Sequence, residues 1–210
     1  MAGFNRDETR ELLRQMSSGL NYIHKKELAH LDIKPGNIFR SFNETVAVEA
    51  NFIDGAMSND DDEHSGTKVV YKIGDLGHVS SIDKKDAEEG DCRYAPRELI
   101  CGNQNSRDLR SADIFALGIT AYEAITLREL PKNGDQWHAI RENGVELSNA
   151  DAIPDELVSL IAKMTSPKLN NRPLAHEVNE HAAVTSMLIS NVKLQKLLQE
   201  AINKNKRLER

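Results

Sequence analysis

The chain has 210 residues, with 33 Asp and Glu against 27 Lys and Arg, a formal charge of -6 and a pI near 5.7. That length fits one domain of ordinary size, and the acidic balance argues against a nucleic-acid module held by a basic face. No apolar run approaches the roughly 20 residues that cross a bilayer, so no membrane partner is expected.

Met1 to Asp7 lacks the apolar core of a signal peptide. Asn5-x-x-Glu8 then resembles a capping box, and Leu12, Leu13, Met16, Leu20 and Ile23 recur at helical spacing. These predict a helix from about Asp7 to Lys26 that delivers the chain into His30-Leu31-Asp32-Ile33-Lys34-Pro35-Gly36-Asn37. Ile38-Phe39-Arg40 reads as a short strand. The stretch from Asn43 to Thr67 reads as an insertion whose acidic run, 59–63, repels itself and favours a mobile loop. That run lacks the Gly and distal Glu of a calcium loop.

Val69 to Ile73 is β-branched and aromatic, a strand running into Asp75-Leu76-Gly77. The polar stretch from His78 to Glu98, punctuated by Gly90 and Pro96, precedes a segment from Arg110 to Leu127 that is nearly uncharged in its middle. A helix apolar on most faces is a central buried helix. Shorter helices are expected at 135–141, at 154–163 and after Pro173, with Pro173 in the first turn. From Ala183 onward a rough heptad pattern predicts a helical tail. Cys92 and Cys101 have no metal spacing and read as reduced thiols of a cytosolic or nuclear protein.

The pattern His30, Asp32, Asn37 followed by Asp75-x-Gly77 is in register with the kinase motifs H-R-D-L-x-x-x-N and D-F-G. Phosphoryl transfer needs positioning and charge neutralisation more than covalent help. Asp32 is placed to meet a substrate hydroxyl, and Lys34 to offset charge on the moving group. Asn37 and Asp75 offer the oxygen ligands that Mg²⁺ prefers.

With Asp75–Val79, Glu89–Tyr94, Ala112–Leu117 and Asn133–His138, the chain resembles the C-terminal lobe of a protein kinase of the Wee family. The stretch 133–138 favours the nuclear Wee type over the membrane-associated Myt type. The resemblance implies a mainly α fold with a central buried helix and a small β-hairpin carrying the catalytic and metal loops. It implies a partial kinase domain at 1–183, a helical tail at 184–210, ATP and Mg²⁺ as cofactors, and a nuclear location that need not exclude the cytoplasm. The implied partner and substrate is a cyclin-dependent kinase, phosphorylated on an inhibitory tyrosine; nothing speaks to oligomeric state.

By the same resemblance Asp32 and Lys34 are catalytic, Lys34, Asn37, Phe39 and Asp75 bind nucleotide, and Asn37 and Asp75 bind metal. Phe39 would floor the adenine pocket, although ordinary core packing would explain it as well. Asp113 would brace the catalytic-loop backbone, and Glu98 would pair with Arg172. Leu31 departs from the pattern by removing the Arg that binds a phosphorylated activation loop; Arg93 beside Asp91 is a local anchor instead. Lys34 is typical of serine/threonine kinases, so the tyrosine target rests on the resemblance alone. No G-x-G-x-x-G loop or V-A-I-K strand precedes His30, and 29 residues are too few for an N-terminal lobe. The expectation is therefore a lobe inactive alone, whether a fragment of a longer kinase, a truncated product or a remnant. The alternative is a non-catalytic module that docks a cyclin-dependent kinase.

Overall fold

A computed structural model describes residues 4–43, 68–84, 88, 90–100, 108–147 and 153–186. The insertion at 44–67, Cys101 and the tail from 187 lie outside the described residues.

Helix α1, Arg6–His24, starts as its capping box requires. The Asn5 side chain accepts from the Asp7 and Glu8 amides at 2.9 and 3.0 Å, and Glu8 accepts from the Asn5 amide at 3.0 Å. Its apolar stripe, Leu12, Leu13, Met16 and Leu20, is fully buried. Two short strands, β1 (Leu28–Ala29) and β4 (Ser80–Ser81), pair antiparallel with Leu28 opposite Ser81.

The hairpin of β2 (Ile38–Asn43) and β3 (Lys68–Ile73) is antiparallel with Ile38 opposite Ile73. β2 is therefore twice the expected length. That register places the loop ending at Asn37 directly beside the turn beginning at Gly74, and the Gly74 amide donates to the Asn37 carbonyl at 2.9 Å.

Helix α2 (Arg97–Ile100) leads to α3 (Leu109–Thr126), capped by the Asp108 side chain on the Arg110 amide. Every residue of α3 from Ser111 to Tyr122 is buried, so α3 is the axis of the core. Gly118 permits the closest approach in that core: a Cβ there would lie 2.8 Å from Thr165 and 2.9 Å from Met164. Thr165 follows α5 (Asp155–Met164). Helices α4 (Asp135–Asn143) and α6 (Ala175–Glu180) complete the fold, α6 packing on α1. Pro173 is not in the first turn of α6 as expected; the helix starts two residues later, where the Glu177 carboxylate accepts from the Leu174 amide at 2.6 Å. Residues 182–186 are again helical, with Ala183 and Val184 in the core.

Arg172 is buried and holds Glu98, at the end of the 78–98 stretch, to Ser111 of α3. Its guanidinium donates to both Glu98 oxygens, at 2.5 and 3.3 Å, and to the Ser111 and Ser166 carbonyls at 3.2 and 2.7 Å. Arg172→Leu leaves the Glu98 carboxylate without its cation. It should cost about 3–5 kcal/mol in urea unfolding; a loss under about 1 kcal/mol would contradict the pairing.

Candidate active site

The site is built from two loops that flank the hairpin. His30 to Leu31 is hung on the buried Asp113 of α3. Its carboxylate accepts from the His30 amide at 2.8 Å and the Leu31 amide at 2.7 Å. His24, at the end of α1, adds a third contact through Nε2 at 2.9 Å. Leu31 takes a left-handed φ of 66°, a costly choice for a bulky residue that these bonds enforce.

The His30 ring ties the two loops together. Nδ1 accepts from the Asp32 amide at 3.3 Å, so Nε2 is the donor to the Gly74 carbonyl at 3.1 Å. Gly74 precedes Asp75, which also takes a left-handed φ, 57°, and accepts from the Gly77 amide through Oδ1 at 3.2 Å. The Asp75 carboxylate and the Leu76 side chain are exposed.

Asp32 is 5% exposed and its carboxylate is met from three sides. Lys34 Nζ lies 2.8 Å from Oδ2 and 3.1 Å from Oδ1. Asn37 Nδ2 donates to Oδ2 at 2.7 Å and to the Asp32 carbonyl at 2.9 Å. The Asp91 amide donates to Oδ1 at 3.0 Å. Gly90 makes that approach possible, since a Cβ there would fall 2.3 Å from Oδ1. With Nδ2 committed to Asp32, the Asn37 amide oxygen has no hydrogen-bond donor among the described residues.

Phe39 is 61% exposed and its ring lies over Gly74, where a Cβ would be 2.1 Å from the ring edge. It is not part of the core. The structure thus brings Asp32, Lys34 and Asn37 into one bonded cluster, sets Asp75 beside it through Gly74, and puts Phe39 above the joint. Sequence reasoning missed Gly90 and the Asp91 amide, which reach the cluster from some 59 residues on, and His24, which joins the Asp113 carboxylate that supports the loop.

The described part of the 78–98 stretch is fastened by contacts among its own and neighbouring side chains. Arg93 makes a forked pair with the Asp91 carboxylate, 2.6 Å at the shortest. Leu31 packs with Ala95 and Leu99 where the usual Arg would project. Tyr94 is buried, and its hydroxyl donates to Glu123 at 2.6 Å. Burial and that carboxylate push the Tyr94 hydroxyl well above its ordinary range.

Burial alone would raise the Asp32 carboxyl, but hydrogen bonds from Lys34, the Asp91 amide and Asn37 outweigh it and hold it low. Asp91 is held low chiefly by the hydrogen bonds from Arg93. A carboxyl depressed in the folded state stabilises it above the unfolded value of about 4, and that contribution is lost as pH falls through the folded value. The urea midpoint should therefore stay flat from about pH 7 to 5 and drop below about pH 4. Asp91→Asn should lower the plateau and shrink the acid drop.

A family model described as protein kinase domain matches residues 1–184. The chain is 38% identical over 208 residues to the Wee1-like protein kinase of Drosophila melanogaster, covering 95% of this chain and 33% of that protein. It is 43% identical over 172 residues to Wee1-like protein kinase 2 of Danio rerio, covering 82% of this chain and 30% of that protein. It spans about a third of the length of these curated relatives. Among solved structures, the Rad53 kinase domain with SCD2 and AMPPNP aligns with a TM-score of 0.60 at 21% identity, over 87% of this chain and 60% of that one. That likeness concerns the fold. The kinase motifs at 30–37 and 75–77, the match over 1–184 and the Wee1-like relatives together establish that the chain belongs to the protein kinase domain family and fits its Wee branch.

Proposed function

We propose that this chain is the catalytic-loop and metal-loop half of a Wee-type kinase that transfers phosphate from ATP to a tyrosine of a cyclin-dependent kinase. The observation that carries the reading is the fixed Asp32 carboxylate, oriented by Lys34, Asn37 and the Asp91 amide beside the tethered Asp75 turn. Asp32 would accept a hydrogen bond from the substrate hydroxyl and take its proton as the new P–O bond forms and the bond from the γ-phosphorus to ADP breaks. Lys34, already on the carboxylate, would offset charge on the moving phosphoryl group.

The donor set suits Mg²⁺: one carboxylate, Asp75, and one amide oxygen, Asn37, with nucleotide phosphates and water for the remaining positions. When bound, Mg²⁺ neutralises charge on the transferring phosphates. Phe39, exposed above Gly74, offers an aromatic face for adenine. A role in delaying mitosis and a nuclear location belong to the same proposal and rest on the family resemblance.

The test uses the chain with a Wee-type phosphate-binding lobe in place, ATP with Mg²⁺, and a cyclin-dependent kinase. The expected product is phosphotyrosine in the substrate's Gly-rich loop. The 210-residue chain alone should transfer nothing, because the described residues include no clamp for the phosphates and positioning is most of the catalysis. Stable binding to the substrate without transfer by the completed protein would favour a docking module instead.

A further inference from the structure

Arg141 of α4 is 3% exposed, yet among the described residues no carboxylate pairs with it. Its guanidinium instead donates to four backbone carbonyls. Nε reaches Ala95 at 3.0 Å, Nη1 reaches Trp137 at 3.1 Å, and Nη2 reaches Cys92 at 2.7 Å and Arg93 at 2.9 Å. Trp137 stacks on the guanidinium at 3.9 Å and donates its own Nε1–H to the Cys92 carbonyl at 3.1 Å. Burial pulls the guanidinium down to about 10, so it stays charged at neutral pH. A buried cation is costly unless its donors are satisfied, and here the carbonyls of one turn, 92–95, do most of that.

The same turn reaches the site on its other side. The Tyr94 and Ala95 amides close it on the Asp91 carbonyl, the Asp91 amide points at Asp32 Oδ1, and Gly90 lies against that carboxylate. Residues 90–95 are thus bonded by their carbonyls to α4 and by one amide to Asp32.

We propose that Arg141, seated by Trp137, is a positioning residue: it fixes the 90–95 turn so that the Asp91 amide holds the Asp32 carboxylate in a single orientation. The proposal rests on the reading of Asp32 as the residue that meets the acceptor hydroxyl. It assigns to a fan of carbonyls the ordering for which Leu31 supplies no guanidinium. Lysine at 141 would keep the charge, but an ammonium has three donors and no plane to stack or to span four carbonyls. Arg141→Lys therefore separates the fan from the charge.

Amide exchange is measured by NMR on the 210-residue chain, and activity separately on protein carrying the phosphate-binding lobe. Arg141→Lys should leave the α1 and α3 amides protected while the Asp91 amide exchanges about tenfold faster or more. Trp137→Phe, which keeps a ring and loses the Nε1 donor, should show a smaller change of the same kind. In the activity assay both should lower kcat, Arg141→Lys by about 10- to 100-fold, with the KM for ATP unchanged. If Arg141→Lys loses protection throughout, Trp137→Phe decides: unchanged Asp91 exchange or unchanged kcat in that folded variant overturns the proposal. Faster Asp91 exchange in both variants, with no transfer by any form including wild type, would refute the kinase reading and leave the bridge between α4 and Asp32 standing. Normal wild-type transfer with kcat untouched by either variant would do the reverse.

Discussion

Asp32→Asn lowers phosphoryl transfer by the completed kinase by about 10²- to 10⁴-fold and leaves nucleotide affinity nearly unchanged. The substitution keeps the side chain's shape but removes the acceptor charge at the one place a hydroxyl proton would go. It also turns an NH₂ group toward donors, since Oδ1 faces Lys34 and the Asp91 amide while Oδ2 faces Lys34 and Asn37. Asp75→Asn acts differently. That carboxylate is exposed beyond Gly74 and, on the proposed reading, would hold Mg²⁺, so its loss should weaken Mg²⁺–ATP binding as well as turnover. Single-turnover transfer with a nucleotide titration separates the two, and equal affinities in both variants would contradict the assignment.

Asp113→Ala is expected to be the most destabilising change in the catalytic-loop support. Asp113 is fully buried and accepts from the His30 amide, the Leu31 amide and His24 Nε2. Truncation strands three buried donors, each costing about 1–3 kcal/mol when left unpaired. Allowing for relaxation, we expect a loss of about 4 kcal/mol, or roughly 8–16 °C in Tm for a domain of this size. Asp113→Asn, which keeps one acceptor oxygen, should lose less. Thermal unfolding of the three proteins checks the order; a Tm for the Ala variant within about 2 °C of wild type would mean the network carries no stability.

Local signals carried most of the fold. The Asn5–Glu8 capping box and the Leu12–Leu20 stripe located α1, and the uncharged middle of α3 announced a helix buried on every face. The loop at 30–37 and the turn at 75–77 were legible because their residue types are dictated by the chemistry, whatever the packing. What stayed hidden depends on contacts between remote positions. His24 closes the helix with no local signal of a buried partner, and only the fold carries it to Asp113, 89 residues away. Gly90 reads as loop punctuation, yet its missing Cβ is what admits Asp32. Arg141 lies within a short predicted helix, and periodicity cannot show that three of its four carbonyl partners lie 46 to 49 residues earlier. Phe39 could have been core or pocket from sequence; its exposure over Gly74 excludes the core.

The most direct measurement is transfer from γ-labelled ATP by phosphatase-treated protein carrying both this chain and the phosphate-binding lobe. Leu31 packs with Ala95 and Leu99, and Arg93 pairs with Asp91, contacts that need no phosphate. The account predicts Mg²⁺-dependent phosphotyrosine in a cyclin-dependent kinase from the first turnover, abolished by Asp32→Asn. Label that appears only after rephosphorylation at Ser80 or Ser81, or that is equal in wild type and Asp32→Asn, would contradict it.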